Sequence, residues 1–502
     1  MKYPITADAD VAALRRVRLP AITLADLWRA FASHWGIVAA LALTFGIHAP
    51  TLRYYFDGDD FVVLGSISHA GNAGYLRDTV LLRDIVPNWR PLTAAVYTLE
   101  WDLFGLNATA WRSLNLGVHL VSVALLYALV LRATRRPAAG SVAAVVFGVS
   151  GSHFDTVTYV TALPHVLATC FTIGSLLAVV AYAQSNERRP SLFWLSFALF
   201  ALAFLANEGS FVYAPLVVLA YALFAVRWRR APLRLALHSL PFAAVAVGWS
   251  VFYEAFPNDQ LRFDGYGWGP HIMRNYAVYL SYIALPTRAI PLEPGTGRVL
   301  LAAAMALSGA VLALRGPQLG RVAVAGVGIA LLPFVPVEIW TASRYTYAAV
   351  AFFAIGAGIV GVALYDRVAS WHRRVHGPAM ALGLAFVAVV AGLYSWQTHA
   401  RDARSGEGTA RWKLLVDELR ANYPSVPPGT TIWIVDGPWT NPMEQYTWVP
   451  SVARAVYGDA AAFDLPRSAY TQEPPKMDGA LFLEWRDGRL RPVPAEWVVA
   501  GR

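Results

Sequence analysis

Residues 112–136 read RSLNLGVHLVSVALLYALVLRATRR. An apolar run of this length, closed by an arginine cluster, matches a helix that crosses a hydrocarbon core of roughly 30 Å at about 1.5 Å per residue. Working outward, comparable runs recur at about 31–49, 139–153, 163–183, 191–206, 210–226, 235–253, 298–314, 322–337, 346–365 and 378–397. The expected fold is therefore a polytopic α-helical membrane protein with about eleven transmembrane helices. Composition agrees, since 57% of the 502 residues are hydrophobic and only 15% are charged, which an ordinary soluble domain does not show.

A net charge of +9 would point to nucleic acid in a soluble protein, but in a membrane protein short basic loops report orientation instead. Alternating sides from a cytoplasmic N-terminus puts Arg132/Arg135/Arg136, Arg188/Arg189, Arg227/Arg229/Arg230/Arg234, Arg315/Arg321 and Arg367/Arg373/Arg374 all inside. No nucleic-acid partner is expected. The first apolar run follows Arg15, Arg16 and Arg18, but has Pro50 and no small-residue cleavage site after it, so it reads as an uncleaved anchor. Cys170 is the single cysteine and lies within a span, so an exported domain must hold by packing alone.

The resulting organisation is a cytoplasmic segment (1–30), a membrane domain (31–397) with an external loop (50–111) and an interfacial segment (254–297), and an external domain (398–502). Residues 271–290 carry Arg274, several tyrosines and Pro286. Treating them as a span would turn every later arginine loop outward, so a helix lying in the interface is expected. Beyond residue 400, a charged amphipathic stretch (401–422), a strand at Thr430–Asp436, and a strand running from Gly479 into Asp487-Gly488 predict a small α+β soluble domain. The abundance of Ala and Arg suggests a bacterium, and hence the inner membrane.

Polar residues collect at the outer ends of the spans. Tyr54-Tyr-Phe-Asp57-Gly-Asp59-Asp60-Phe61 puts three carboxylates within four residues just beyond the first span. They are either turn and cap residues or a working site. Arg90 and Arg344 could fork onto a phosphate, or Arg344 could only snorkel to headgroups. His153, Asp155 and His165 flank one external turn and could pair in the same cavity, or form a buried network without chemistry. Glu208 would be costly in lipid and should face a polar cavity or a structural partner. No Walker loop, zinc spacing or GxSxG elbow occurs.

From Asp57 to about Tyr347 the chain resembles the GT-C class of integral-membrane glycosyltransferases, in particular the protein O-mannosyltransferase-like group. Asp59-Asp60-Phe61 is similar to the acidic pair of that class's first external loop. Asn88-Trp-Arg90-Pro-Leu92, Leu103-Phe-Gly-Leu-Asn107 and Asn115-Leu-Gly-Val-His119-Leu resemble its Arg-Pro-Leu, Phe-Gly and His-Leu runs. His153-Phe-Asp155 with Tyr159 and His165 resembles its His-Thr-Glu run, with His165 standing where the family has a further carboxylate. Ala206-Asn-Glu208 looks like its Ser-Lys-Glu, with Asn207 in place of lysine. Ser343-Arg344-Tyr345-Thr-Tyr347 looks like its Glu-Arg-Tyr-Leu-Tyr.

The resemblance implies a GT-C-like fold and transfer of a sugar, mannose in this group, from a polyprenyl-phosphate donor to a protein, lipid or glycan acceptor. It implies catalysis by Asp59 or Asp60, phosphate binding by Arg344 or Arg90, and a cavity bounded by Asp57, His153, Asp155, His165, Glu208, Tyr345 and Tyr347. The chemistry concurs. Glycosyl transfer needs a base for the acceptor hydroxyl, and a pair of adjacent carboxylates either raises one pKa or holds a divalent ion such as Mg or Mn, with Asp59 and Asp60 as its ligands. A transporter or flippase would also use intramembrane charge, but with internal repeats and midplane sites, whereas here the polar groups sit at one face. A scaffold would need none of them.

Overall fold

A computed structural model describes residues 24–82, 88–225, 232–255, 265–285, 295–338, 341–371, 376–435, 437, 447–465 and 480–494. Its helices are α1 (Leu24–His48), α2 (Gly58–Val80), α3 (Pro91–Phe104), α4 (Ala108–Thr134), α5 (Pro137–Gly148), α6 (Phe154–Thr158), α7 (Leu163–Gln184), α8 (Pro190–Ala206), α9 (Ala214–Phe224), α10 (Pro232–Ala255), α11 (His271–Ala284), α12 (Thr296–Arg315), α13 (Gln318–Leu331), α14 (Tyr347–Trp371), α15 (His376–Asn422) and α16 (Val449–Tyr457). Each expected span overlaps one of these helices, with 139–153, 210–226 and 322–337 extending beyond theirs into turns. Among the described residues, six stretches are long and apolar enough to cross a membrane: 34–53, 108–134, 160–184, 232–255, 296–315 and 343–370. Four shorter apolar helices, at 137–148, 190–206, 208–224 and 318–331, fill the bundle between them. Several helices begin on a proline, including α3, α5 and α8, where the missing N–H costs nothing.

The bundle core is made by α4, α5, α7, α9 and α14, through residues such as Leu126, Phe147, Ile173, Val217 and Phe352. Small residues let the backbones approach, the expected means of helix packing where lipid is the solvent. A Cβ added to Gly326 would lie 2.4 Å from the Phe352 ring, and one added to Gly358 would lie 2.4 Å from the Ala139 carbonyl oxygen. Ser175 and Ser196 exchange hydroxyl-to-carbonyl bonds at 2.8 and 2.9 Å, which ties α7 to α8. At the other extreme, α12 buries none of its residues, leaving an apolar surface suited to lipid.

Helix α11 has 14 residues, roughly 21 Å of rise, too short to span. It buries Asn275, Tyr279 and Ile283 on one face, and the Asn275 amide donates to the carbonyls of Val335 and Val337 at 2.9 and 2.7 Å. The amphipathic helix expected at 271–290 is thus present over its first part, while residues 286–294 lie outside the described ones.

The C-terminal sheet has the order β2-β1-β3-β4. Strand β1 (Thr431–Val435) runs parallel to β2 (Ala461–Leu465) and to β3 (Leu481–Arg486), and β3 turns at Asp487-Gly488 into antiparallel β4 (Arg489–Pro492). The first strand and the hairpin were expected; α16 and β2 were not. The boundary placed at 397/398 falls inside α15, a single helix of 47 residues that continues from the last span to the sheet. Its Trp412, Leu415 and Leu419 share one core with Phe61 and Leu64 of α2, Ile432 and Ile434 of β1, and Val449 and Val452 of α16. The small domain is therefore packed onto the helix that carries the acidic stretch.

Candidate active site

Four short segments meet at one end of the bundle: the start of α2, the turns from Gly151 to Ala162, the 3-10 turn Glu208–Tyr213, and the 3-10 turn Ser343–Thr346 before α14. Each breaks the apolar pattern of the spans, and charged side chains collect there.

The three carboxylates have different environments. Asp57 is the N-cap of α2 and forms a capping box with Asp60, whose Oδ2 accepts the Asp57 backbone N–H at 3.1 Å. This is the cap reading, realised for two of the three acids. Asp60 is wholly buried. Its Oδ1 accepts the backbone N–H and the hydroxyl of Thr161 at 3.0 and 3.2 Å, and Arg112 Nη2 lies 3.7 Å from its Oδ2. Burial pushes the Asp60 carboxyl up to about 6, against the opposing pull of Arg112 and the backbone N–H groups. Arg112 itself is buried and donates to the carbonyls of Tyr54 and Tyr55, fixing the loop that leads into α2.

Asp59 takes no part in the cap. Its side chain is 40% exposed, with Oδ2 3.8 Å from Arg344 Nη1 and Oδ1 accepting from the Trp448 indole N–H at 3.1 Å. Arg344 also lies over the Tyr345 ring, 5.5 Å from its centroid. It lines a small cleft with His165, Asn207, Phe334, Tyr345 and Tyr347. One wall is the Phe334–Tyr345 stack, with centroids 4.4 Å apart and planes within 7°. His165 Nδ1 is 3.4 Å from the Asn207 amide nitrogen. Next to Arg344, Ser343 donates to the Asp155 carboxylate, and Thr156 donates to the Arg344 carbonyl at 3.5 Å.

Arg90, Glu208 and His153 adjoin this cleft without lining it. Arg90 donates from Nε and Nη2 to both oxygens of Glu208 at 2.8 and 3.1 Å, so the fork considered for a phosphate is taken by a carboxylate. His153 does not join Asp155 and His165. It is buried in an aromatic cluster with His119, Phe147 and Tyr347, where His119 Nδ1 and the Tyr347 hydroxyl are hydrogen-bonded at 2.7 Å.

Arg112, Thr161, Trp448, Phe334 and Thr156 escaped the sequence reading. Arg112 carried a usable signal, an ionisable group at the start of an apolar span; Thr161 and Trp448 carried none. Among the described residues no three His, Cys, Asp or Glu side chains form a metal-holding group. Asp59 and Asp60 bond to different protein partners. The half-exposed Asp59 is the one able to contribute to an oxygen shell completed by water and phosphate.

No protein-family model matches the sequence, and no curated protein matches it. Solved structures do. The chain is similar to ArnT from Cupriavidus metallidurans bound to undecaprenyl phosphate, at 15% identity and TM-score 0.51, over 90% of this chain and 92% of that one. It is also similar to the Archaeoglobus fulgidus oligosaccharyltransferase AglB in complex with an inhibitory peptide and a dolichol-phosphate, at 12% identity and TM-score 0.52, over 86% of this chain and 65% of that one. The same enzyme tethered with an acceptor peptide gives 12% identity and TM-score 0.51, with 86% and 64% covered. The chain thus spans just under two thirds of the archaeal protein. At these identities the likeness establishes the fold: the polytopic helical architecture of these membrane glycosyltransferases, with a small C-terminal α+β domain.

Proposed function

We propose that this protein is a membrane glycosyltransferase that moves a sugar from a polyprenyl-phosphate donor to an acceptor at the external membrane face. The observation that carries the reading is the Asp59 carboxylate 3.8 Å from the guanidinium of Arg344, which lines the cleft, on a fold shared with proteins bound to polyprenyl phosphates.

The two charges suit the two ends of the reaction. Asp59 takes the proton of the acceptor hydroxyl as its oxygen bonds to the anomeric carbon. The bond from that carbon to the phosphate oxygen breaks, and the electron pair leaves with the polyprenyl phosphate. Arg344 meets the charge growing on that phosphate, in a cleft where exclusion of water strengthens the pairing. Asp60, fully buried and saturated with donors, positions the first turn of α2. A divalent cation, where one is used, would sit on Asp59 and the donor phosphate and supply further neutralisation; retention of activity after EDTA treatment would remove that role. Mannose and a bacterial inner membrane, with the N-terminus cytoplasmic and the C-terminal domain outside, are the expected sugar and setting. The acceptor is a protein, lipid or glycan hydroxyl, and a cell extract offers all three.

The test is transfer of labelled sugar from undecaprenyl-phosphate mannose, and in parallel other undecaprenyl-phosphate hexoses, by the protein in liposomes with a cell extract as acceptor. Incorporation by the wild type and its loss in Asp59→Asn are expected. Absence of incorporation from every donor by folded protein would overturn the reading, and movement of intact donor across the bilayer would replace it with a transporter.

A further inference from the structure

We propose that Trp448, carried by the C-terminal domain, is a positioning residue for Asp59, so that the small domain completes the active site. The inference rests on the transferase reading above and extends it to an element that the sequence reading left without a role.

The indole N–H of Trp448 donates to Asp59 Oδ1 at 3.1 Å, across 389 residues of sequence. A partly exposed carboxylate such as Asp59 has several staggered rotamers open to it unless a partner selects one. Fixing one oxygen turns the other, Oδ2, toward Arg344 Nη1 at 3.8 Å. Such a bond to a charged acceptor is among the stronger hydrogen bonds. The indole donates without adding a charge, so Arg344 remains the cation facing the cleft.

The approach is built into both partners. A Cβ on Gly58 would lie 2.4 to 2.6 Å from three atoms of the Trp448 ring, so the indole reaches Asp59 only because residue 58 has no side chain. Two turns along the same face of α2, a Cβ on Gly65 would lie 2.7 Å from the Ser451 carbonyl oxygen and 3.2 Å from Arg454 Cβ. These glycines let α16 lie directly on α2. Behind the indole, Trp412 meets it edge to face at 6.2 Å, and Trp412 in turn packs on Phe61 at 5.9 Å. Val449, Val452 and Ala453 are fully buried beneath it. The ring is therefore held from behind by the shared core while its N–H faces the acid.

The experiment uses the full-length protein in liposomes with undecaprenyl-phosphate mannose and the parallel hexose donors, measuring kcat and KM separately. Trp448→Phe keeps an aromatic ring in the core but removes the N–H donor. It should lower kcat about ten- to a hundredfold, as expected for one lost bond to a charged group, with KM for the donor changed by less than about threefold. Trp448→His, which retains a ring N–H, should recover part of the loss. Gly58→Ala favours the helix by itself, yet should reproduce the kcat loss by displacing the indole, and the double variant should be little worse than either single one. Limited proteolysis checks that each variant keeps its fold. An active wild type with unchanged kcat in Trp448→Phe, or single losses that multiply in the double variant, would overturn the positioning role and leave the transferase reading intact. A wild type inactive with every donor would overturn both.

Discussion

Arg90 and Glu208, 118 residues apart in sequence, form a two-pronged ion pair at 2.8 and 3.1 Å that fastens the start of α3 to the turn after α8. Both side chains are only about one fifth exposed, 23% and 20%. Removing one partner strands the other in a dry setting, so Arg90→Ala or Glu208→Ala should each cost about 2–4 kcal/mol. The double variant should recover part of that loss, because neither charge is then left alone. Thermal unfolding of the four proteins in detergent measures it. If Arg90 binds the donor phosphate instead, Arg90→Ala will raise KM for the donor with little change in the unfolding midpoint, and the cycle will show no coupling.

Asp59 and Asp60 are neighbours, but their substitutions should separate. Asp59→Asn removes the proposed base and should reduce kcat roughly 10²- to 10⁴-fold without affecting the fold, since Asp59 takes no part in the cap and an asparagine oxygen can still accept from Trp448. Asp60→Asn should act indirectly, by loosening the α2 turn that Thr161 and Arg112 hold. Its loss should be the smaller one, accompanied by a shift in the unfolding curve. A more severe kinetic defect in Asp60→Asn than in Asp59→Asn, with unchanged stability, would transfer the base role to Asp60.

The spans were legible in the sequence because lipid imposes one rule along the whole chain: apolar length matched to bilayer thickness. The helix at 271–284 was legible through its tyrosines and Arg274, which resist the hydrocarbon core. The split of roles among Asp57, Asp59 and Asp60 was not. The three share nearly one local sequence, and what divides them is which distant group each side chain meets: Thr161 and Arg112 for Asp60, Arg344 and Trp448 for Asp59. For the same reason His153, adjacent in sequence to the cleft turn, could not be told from a cavity residue, although it packs with His119 and Tyr347. The change of composition near residue 400 marked a change of solvent, and α15 passes through it without a break because helical propensity does not depend on what surrounds the helix.

Arg344 faces Asp59 on one side and lines the cleft on the other. A planar fork that pairs with phosphate and lies over an aromatic ring is poorly replaced by an ammonium. Arg344→Ala should therefore lower kcat/KM for the donor by about a hundredfold or more, and Arg344→Lys should restore less than half of the lost free energy. If Arg344 only snorkels to headgroups, Arg344→Lys will behave as wild type in steady-state kinetics at every donor concentration.

Burial gives Asp60 a distinct pH signature. Its carboxyl is raised from an ordinary 3.8 to about 6, so between those values the folded chain binds more protons than the unfolded one. The contribution of this group to stability is present at acidic pH and is lost as pH rises from about 4 through about 6, by roughly 3 kcal/mol. Asparagine does not titrate. Relative to wild type, Asp60→Asn should thus gain stability as pH increases across this window, whatever fixed penalty it pays for the altered contact with Arg112. Unfolding of both proteins at matched pH values from 4 to 8 tests this through their difference, in which every other titrating group cancels. A difference that is flat, or that moves the other way, would mean that Asp60 stays ionised in the folded protein and that Arg112 outweighs its burial.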